Sequence, residues 1–476
     1  MNIKKLLGYA LGPLGSAAIG IVSLPLISWY FPAEDIGRIV LLQTVSALTL
    51  TLMGLGLDQS YIREYHAAEN KAALFKAVIA LPVALTALFA AAIGLGRLSW
   101  PSEKVFDINS STLGLLCLLF FGASLLSRYF ALILRMKERS FAFSFSQLTP
   151  KVLILLLVLV YVAAGLPKDT FTLVAAYVAA QVLTVGVLAA QTRGELAAAA
   201  RAPFSAPLLK ESLHYGVPLA LGGLAYWGFT SIDRFLLKSL GGLSELGVYS
   251  MAVSFGAIAL IFQNIFSVIW APMVFKWVKE NIHLDKIGGI TESMTDLIAA
   301  LICIVGICSP MVTWILPEKY APVQFILLSS MLFPLLYTLT EVTGIGINVS
   351  KKTWLITVFS LVALLCNLSL LYWLVPLLGA RGAAMATAVS FWVFSVLKSE
   401  ASIRLWLPLP RAKIYGSTFL CLAACLSYTY YGNSSNYYFF ALFWLAVLVF
   451  LYLKHRSALH QAATQIKGRL KRTTAV

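Results

Sequence analysis

Two cations lie inside long apolar stretches of the sequence. Arg128 falls in the stretch 111–134 and Lys151 in the stretch 142–165. A charge within a membrane helix is costly and rare, so each is a functional candidate. If these stretches are consecutive antiparallel helices, both cations lie at similar depth and can bind an anion with several oxygens, two of which one guanidinium can contact together. The structural alternative is that both side chains extend to the membrane surface or bind a helix end.

Two carboxylates occupy comparable positions later in the chain. Asp296 lies about ten residues inside the apolar stretch 288–316, and Glu341 lies about ten residues before Lys351. A carboxylate within a membrane helix is suited to carry a coupling H⁺ or Na⁺. We predict that one of the two does so. The alternative is an ion pair with a helical neighbour.

Three further charged residues fall near the ends of predicted helices or between them. Asp58 lies near the end of the second apolar stretch, and Asp233 and Arg234 are adjacent in the seventh. Adjacent residues of a helix point to different faces, so Asp233 and Arg234 need separate partners. We predict gating or structural roles for these three residues rather than contact with a substrate.

The composition indicates that membrane helices position these side chains. The chain has 476 residues, 60% hydrophobic and only 12% charged, with a mean hydropathy of +0.85. Its apolar stretches are continuous rather than alternating, which favours helices over a β-barrel. Each can cross a hydrocarbon layer about 30 Å thick. We predict an all-α integral membrane protein of about fourteen spans, near residues 8–30, 38–60, 74–97, 111–134, 142–165, 171–192, 213–237, 247–275, 288–316, 321–348, 354–376, 380–398, 413–431 and 437–453.

The basic residues predict the orientation of these spans. With the N-terminus in the cytoplasm, most of the 36 Lys and Arg residues fall in cytoplasmic loops, and the opposite loops keep few. This asymmetry is the one expected of membrane proteins, and it places both termini in the cytoplasm. We assign the net charge of +16 to contacts with anionic membrane lipids. A nucleic-acid partner is not expected, because such a protein gathers its charge on one folded face.

The two halves of the chain carry similar short motifs in the same order. Residues 33–38 resemble residues 243–249, and residues 101–104 resemble residues 317–320. Because six predicted helices separate the copies, the repeat is parallel, with its axis along the membrane normal. We predict an N-lobe (1–192), a cytoplasmic linker (193–212), a C-lobe (213–398), two extra helices (399–453) and a basic cytoplasmic tail (454–476).

Prolines at matching places in the two lobes are candidate hinges. Pro13 and Pro218 lie near the cytoplasmic ends of the first and seventh predicted helices. Proline removes a backbone hydrogen bond and kinks a helix, which suits a hinge for alternating access. The alternative is the general enrichment of Gly and Pro in membrane helices.

An ordered set of short motifs resembles a known family across nearly the whole chain. The chain is similar to polysaccharide transporters of the multidrug/oligosaccharidyl-lipid/polysaccharide exporter superfamily, in particular Wzx-type O-antigen flippases. The motifs are Glu34-Asp35-Ile36-Gly37, Gly54-Leu55-Gly56-Leu57-Asp58-Gln59, Arg63-Glu64-Tyr65, Ser231-Ile232-Asp233-Arg234-Phe235, Glu245-Leu246-Gly247-Val248-Tyr249-Ser250, Glu318-Lys319-Tyr320-Ala321-Pro322, Ser350-Lys351-Lys352-Thr353 and Leu378-Gly379-Ala380-Arg381-Gly382-Ala383-Ala384.

The resemblance implies a substrate and a place for it. It implies two six-helix lobes that move an undecaprenyl-pyrophosphate-linked oligosaccharide across the bacterial inner membrane, from the cytoplasmic to the periplasmic leaflet. On that expectation Arg128 and Lys151 bind the pyrophosphate, with Arg63 nearer the entrance. Other membrane proteins of polysaccharide assembly are possible partners.

The sequence gives no sign of covalent catalysis. No His pairs with Cys, Asp or Glu at metal-ligand spacing, and no phosphate-binding loop of the form G-x-x-x-x-G-K-[ST] is present. We therefore expect a transporter without cofactors, apart from a coupling H⁺ or Na⁺. Two alternatives stay open: a drug or organic-cation exporter of the same superfamily, and a membrane polymerase or ligase for the same polymer. The short outer loops argue against the enzyme.

Overall fold

The computed structural model describes the backbone of residues 3–473 and the side chains of residues 11–456 except residue 268. Most of the predicted basic tail, from residue 457 onward, therefore lies outside the described side chains. Every regular element of the described backbone is helical. In chain order the helices are α1 (Ile3–Ser28), α2 (Ala33–Gly54), α3 (Leu57–Glu64), α4 (Lys71–Leu95), α5 (Trp100–Phe106), α6 (Ser111–Met136), α7 (Ser140–Ala163), α8 (Thr170–Gln191), α9 (Arg193–Arg201), α10 (Ala206–Gly241), α11 (Leu243–Glu280), α12 (Lys286–Cys308), α13 (Met311–Ile315), a 3₁₀ turn (Glu318–Tyr320), α14 (Val323–Thr343), α15 (Ile345–Val349), α16 (Trp354–Leu378), α17 (Ala380–Leu405), α18 (Arg411–Tyr431) and α19 (Tyr437–Thr473).

Twelve helices of the described chain are long and apolar enough to cross a membrane. The protein is thus a multi-pass membrane protein, as predicted, and large apolar side chains such as Leu95 and Trp314 are exposed. The twelve omit α10 and α18, which have 36 and 21 residues but carry more polar side chains. The count of fourteen spans therefore stays a prediction.

The second helix begins and ends earlier than predicted. Glu34 and Asp35 lie in the first turn of α2, where carboxylates stabilise the positive end of a helix. At its other end Leu55 (φ 48°) and Gly56 (φ 68°) are both left-handed, a conformation that stops a helix. The chain then restarts as the short helix α3, which carries Asp58 and Arg63.

The predicted linker is mostly helical. It contains α9, and its last residues already belong to α10, which begins after Ser205. Lys76 binds the backbone oxygens of Ala200 and Ala202 at 3.0 and 2.7 Å, which fixes the end of α9 on α4. Burial raises the pKa of Glu195, but its hydrogen bond from Lys137 and nearby charges outweigh that effect and hold the pKa below its usual value. The linker is therefore anchored on the first half of the chain.

Equivalent helices of the two halves pack in equivalent ways. In the first half α1 packs on α7, α7 on α8 and α6 on α8; in the second half α10 packs on α16, α16 on α17 and α14 on α17. The two halves meet chiefly where α2 contacts α11. This recurrence is what the predicted parallel repeat requires.

The repeated motifs contact each other reciprocally at the start of α2 and α11. A Cβ added to Gly37 would lie 2.3 Å from the backbone oxygen of Leu243, and one added to Gly247 would lie 2.0 Å from that of Ala33. Gly37 and Gly247 hold the same place in their motifs, as do Ala33 and Leu243. Such a reciprocal contact between equivalent residues is the signature of a two-fold relation.

Candidate functional site

Two cavities lie between the halves of the protein, one after the other along α2 and α10. The first, here called the Arg234 cavity, has a volume of about 340 Å³ and is lined by α1, α2, α10 and α11. The second, the Arg128 cavity, has a volume of about 200 Å³ and is lined by α2, the turn after it, α3, α6 and α10. Each contains one arginine, Arg234 in the first cavity and Arg128 in the second.

Arg234 is the charged residue of the larger cavity. Its guanidinium donates to Ser231 Oγ at 3.3 Å, and no ion pair with a carboxylate joins it within the described chain. The neighbouring wall is polar, with Gln43 and Thr44 from α2 and Ser250 from α11. An arginine without a counter-ion in a polar cavity is suited to bind an anion. This placement favours substrate contact over the gating or structural role predicted for Arg234.

Asp233 points away from this cavity, as expected for the adjacent residue of a helix. Its side chain is 4% exposed and accepts hydrogen bonds from the hydroxyl of Tyr249 and from the backbone N–H of Arg234, the latter at 2.9 Å. Asp233 therefore lies in the interior of the second half, whereas Arg234 lies in the space between the halves.

Arg128 lines the smaller cavity, but Asp58 compensates its charge. The two side chains form an ion pair of 2.9 Å, and Gln59 donates to the same carboxylate oxygen at 2.9 Å. Arg128 is 43% exposed, so it keeps access to the cavity. The predicted anion-binding residue and a predicted gating residue thus form one unit.

The other two predicted anion-binding cations line neither cavity. Lys151 donates to the backbone oxygen of Ser16 at 2.7 Å, which joins α7 to α1. Arg63 pairs with Glu64 at 3.2 Å and lies over the ring of Tyr215, 4.3 Å from its centroid. The structure therefore separates the three predicted pyrophosphate ligands, and Arg128 alone among them faces a cavity described here.

Both predicted coupling carboxylates are paired with cations. Asp296 contacts Lys454 at 2.6 Å, His455 at 2.8 Å and Lys413 at 3.6 Å. These are the structural ion pairs that the sequence left as the alternative. The coupling role of either carboxylate stays a prediction.

Glu341 is paired with Lys398, the last residue of the predicted span 380–398. Lys398 is 5% exposed within α17 and lies 3.8 Å from Glu341. Its ammonium also donates to Thr340 Oγ1 at 3.2 Å and lies 5.2 Å from the ring centroid of Tyr337. The ammonium of Lys398 thus lies in the interior of the helical bundle and not at a cytoplasmic surface.

Asn367, an amide within the predicted span 354–376, is a further candidate residue. It is 0% exposed, and neither its amide oxygen nor its nitrogen has a hydrogen-bond partner in the described chain. Buried polar groups are nearly always paired, so an unpaired amide is a candidate ligand for a small ion or water.

The packing of α10 on α16 places Asn367 opposite Asp233. A Cβ on Gly228 would lie 3.7 Å from Leu364, and one on Gly241 would lie 3.4 Å from Val375, so the helices run parallel in fixed register. In that register the buried residues Phe229, Asp233 and Leu237 of α10 face the buried residues Ala363, Asn367 and Leu371 of α16. In the sequence, the only indication of this pairing is that the buried residues recur every four positions in both helices.

The comparisons with known proteins agree with this architecture. The family described as "Polysaccharide biosynthesis protein" matches residues 3–278, more than half of the chain. The chain belongs to this family. Capsular polysaccharide biosynthesis protein CapF of Staphylococcus aureus is 26% identical over 193 residues, which is 39% of this chain and 48% of that protein. The chain thus matches about half the length of this relative.

Solved structures with the same fold are transporters. The lipid II flippase MurJ in an inward closed conformation is 12% identical, with a TM-score of 0.67 over 97% of this chain and 100% of that one. An inward-facing multidrug resistance MATE family transporter of the MOP superfamily is 14% identical, with a TM-score of 0.59 over 86% and 96%. At 12% and 14% sequence identity, these two structures establish the fold of this chain. The resemblance predicted from the sequence motifs is confirmed.

Proposed function

We propose that the protein is a flippase that moves a lipid-linked polysaccharide precursor across the bacterial inner membrane. The observation that carries this proposal is Arg234, a cation without a carboxylate partner in the described chain, in a polar cavity between the two halves. The family and the transporter fold support the same conclusion. The substrate is an undecaprenyl-pyrophosphate-linked oligosaccharide, such as an O-antigen or capsule repeat unit, moved from the cytoplasmic to the periplasmic leaflet by alternating access.

In this proposal Arg234 binds the pyrophosphate, and Gln43, Thr44 and Ser250 offer hydrogen bonds to the neighbouring sugar. Arg128 becomes a second ligand when Asp58 releases it. Arg63 remains a proposed contact at the cytoplasmic entrance. Lys151 would first have to leave the backbone oxygen of Ser16. The basic loops bind anionic lipids on the cytoplasmic side, and other polysaccharide-assembly proteins are the proposed partners.

A drug exporter is the second candidate, because MATE transporters share the fold. Fold alone does not decide the substrate. Arg234 has no counter-ion among the described residues, so its positive charge would repel an organic cation. Any positive charge of Arg128 that Asp58 does not compensate would add to this repulsion. The cavity charge therefore favours an anionic substrate.

Translocation in proteoliposomes tests the proposal. The purified protein is reconstituted with a fluorescent undecaprenyl-pyrophosphate oligosaccharide, and its appearance in the far leaflet is followed by quenching. Protein-containing vesicles should translocate the lipid, and protein-free vesicles should not. Export of a cationic dye without translocation of several lipid-linked glycans would instead assign the protein to the second candidate.

We further propose that a coupling cation binds at Asp233. Among the three carboxylates that the sequence marked in the second half, Asp296 and Glu341 have tethered cations, and Asp233 has none within the described side chains. In this proposal the carboxylate of Asp233, which accepts from Tyr249, and the unpaired amide oxygen of Asn367 on the neighbouring helix bind Na⁺, or the carboxylate binds a proton. This proposal replaces the coupling role expected for Asp296 and Glu341.

Replacing Asn367 with alanine is expected to remove most of the stimulation of transport by an ion gradient, because the variant lacks a neutral ligand of the proposed site. Translocation is measured under an imposed Na⁺ gradient, under a pH gradient and under neither. Asn264→Ala, which removes an exposed amide of α11, is the matched control and should behave like the wild type. An Asn367→Ala protein that responds fully to both gradients would contradict the site.

A further inference from the structure

The Arg128 cavity differs from the Arg234 cavity in charge. The charged residues that line it in the described chain are Arg128 and Asp58, which form the ion pair of 2.9 Å. Arg128 can therefore bind an anion only after Asp58 releases it. With the pair intact, as in this structure, the charges of the cavity compensate each other. The two cavities are thus suited to chemically different parts of one substrate.

Tyr129 gives the Arg128 cavity a polar group without a partner. Its side chain is 0% exposed and lines the cavity, and its hydroxyl has no hydrogen-bond partner in the described chain. The hydroxyl lies within electrostatic range of both Asp58 and Arg128. Because buried polar groups are nearly always paired, an unpaired hydroxyl that lines a cavity is a candidate contact for a polar ligand.

The rest of the wall combines hydrogen-bonding groups with apolar surface. Thr51 and Gln59 bring a hydroxyl and an amide. Leu50, Leu219 and Ala220 bring apolar surface. The ion pair offers donors and acceptors side by side, since a guanidinium only donates and a carboxylate only accepts. Sugars present the same mixture, with hydroxyls at the edge of the ring and C–H groups on its faces. The cavity volume of about 200 Å³ is on the scale of a single sugar ring rather than of a whole repeat unit.

The two cavities are too far apart to hold one pyrophosphate together. On α2 they contact residues 40–47 and 50–54, and on α10 residues 227–234 and 219–223. At about 1.5 Å per residue, the midpoints of these stretches are about 13 Å apart along α2 and about 14 Å apart along α10. A substrate with its pyrophosphate at Arg234 therefore reaches the Arg128 cavity with a later sugar, not with the sugar attached to the pyrophosphate.

We propose that the Arg128 cavity is a sugar subsite, which binds a later sugar of the glycan while Arg234 binds the pyrophosphate. This proposal rests on the proposed function. The hydroxyl of Tyr129 and the intact pair of Arg128 and Asp58 form hydrogen bonds with hydroxyls of that sugar, so Tyr129 helps to select the glycan. The substrate class is then a lipid-linked glycan of several sugars, because a lipid with one sugar cannot occupy both cavities.

The order of the two cavities agrees with the way such a substrate would enter. On the orientation predicted from the basic residues, the end of α2 and the Arg128 cavity beside it face the cytoplasm. A glycan whose pyrophosphate has moved inward to Arg234 still extends toward the cytoplasm, and the Arg128 cavity lies on that side.

The first test removes one hydroxyl. Tyr129→Phe is compared with Tyr320→Phe, because both hydroxyls are buried and unpaired in the described chain, but Tyr320 lines neither cavity. The substrates are the lipid-linked oligosaccharide extracted from cells that make the protein and the same lipid trimmed to one sugar. Tyr129→Phe is expected to lower translocation of the oligosaccharide about three- to tenfold, the effect of one lost hydrogen bond, and to leave the trimmed lipid unaffected. Tyr320→Phe should transport both lipids like the wild type.

A purely structural role of Tyr129 predicts a different result. Removing an unpaired buried hydroxyl leaves no other polar group without a partner, so Tyr129→Phe should unfold in detergent at the temperature of the wild type or above it. Translocation of both lipids that falls by the same factor, or of neither, would overturn the subsite.

The second test locates the glycan without translocation. Thr51→Cys reports on the Arg128 cavity and Ser254→Cys on the Arg234 cavity, each in a protein whose six native cysteines are replaced. At a concentration about ten times its apparent Kd, the lipid-linked oligosaccharide should slow maleimide labelling of both reporters about tenfold, because few sites stay open. The trimmed lipid should protect Ser254→Cys alone. Equal protection of Thr51→Cys by both lipids would contradict the subsite.

The subsite and the proposed function fail in different ways. If the wild type translocates neither lipid, the proposed function is wrong, and protection of Thr51→Cys still decides whether the cavity binds a glycan. If the wild type translocates the oligosaccharide but neither Tyr129→Phe nor Thr51→Cys distinguishes it from the trimmed lipid, the subsite is wrong and the function stands.

Discussion

Replacing Arg234 with glutamine is expected to lower translocation of the lipid-linked oligosaccharide about 10- to 100-fold. A hydrogen bond to a charged group contributes about 1.5–3 kcal/mol, and glutamine keeps the polarity of the side chain but loses its charge. Because Arg234 has no carboxylate partner in the described chain, its loss leaves no buried counter-charge and should not disturb folding. The measurement is the initial rate in proteoliposomes, with gel filtration as a check on folding.

Two variants make this result specific. Arg97→Gln removes an exposed cation whose side chain is 64% exposed outside both cavities, and it should transport like the wild type. Arg234→Lys keeps the charge but not the planar fork, so an intermediate rate is expected. If Arg234→Gln transports normally while the Arg128→Gln/Lys151→Gln double variant does not, the anion site is the one that the sequence predicted. Normal transport by both would remove both sites.

The architecture could be predicted because it depends on quantities that a sequence shows directly. The length of the apolar stretches determines the membrane helices, and the echo between residues 33–38 and 243–249 indicated the repeat. The reciprocal contact of Gly37 and Gly247 explains why that echo exists: each copy needs a glycine where the other copy's backbone approaches.

The site was harder to predict, because the depth of a residue in the membrane does not determine which neighbouring helix or cavity its side chain faces. Arg128 and Lys151 were predicted to have similar depth; in the structure one faces a cavity and the other binds the backbone of α1. Arg234 and Asp233 are neighbours, yet only Arg234 faces the space between the halves. These differences arise from which helices pack together, and that information lies in contacts between distant parts of the chain.

The pairing of charges was also hidden from the sequence. Lys398 is the last residue of the predicted span 380–398, which places it at a membrane surface, but α17 continues to Leu405 and buries Lys398 beside Glu341. Gly344 makes this possible, because a Cβ there would lie 2.7 Å from Cε of Lys398. A partner on another helix, two spans earlier in the sequence, cannot be inferred from helix length.

Replacing Glu341 with glutamine is expected to destabilise the protein strongly, by about 3 kcal/mol, because it leaves the ammonium of Lys398 buried without a counter-charge. Adding Lys398→Met removes that charge and should restore most of the lost stability. The measurement is the midpoint of thermal unfolding in detergent for both single variants and the double variant. Similar losses that simply add in the double variant would contradict a coupled pair.

An exposed ion pair of nearly the same length gives the matched control. Lys276 and Glu280 are 3.9 Å apart, but their side chains are 69% and 46% exposed, so Glu280→Gln should cost less than about 1 kcal/mol. The same proteins separate a structural role from ion coupling. If Glu341 bound the coupling ion, the double variant would recover its stability but lose its response to an ion gradient. We expect it to recover both, because the carboxylate of Glu341 already has a tethered cation, whereas Asp233 has none in the described part of the chain.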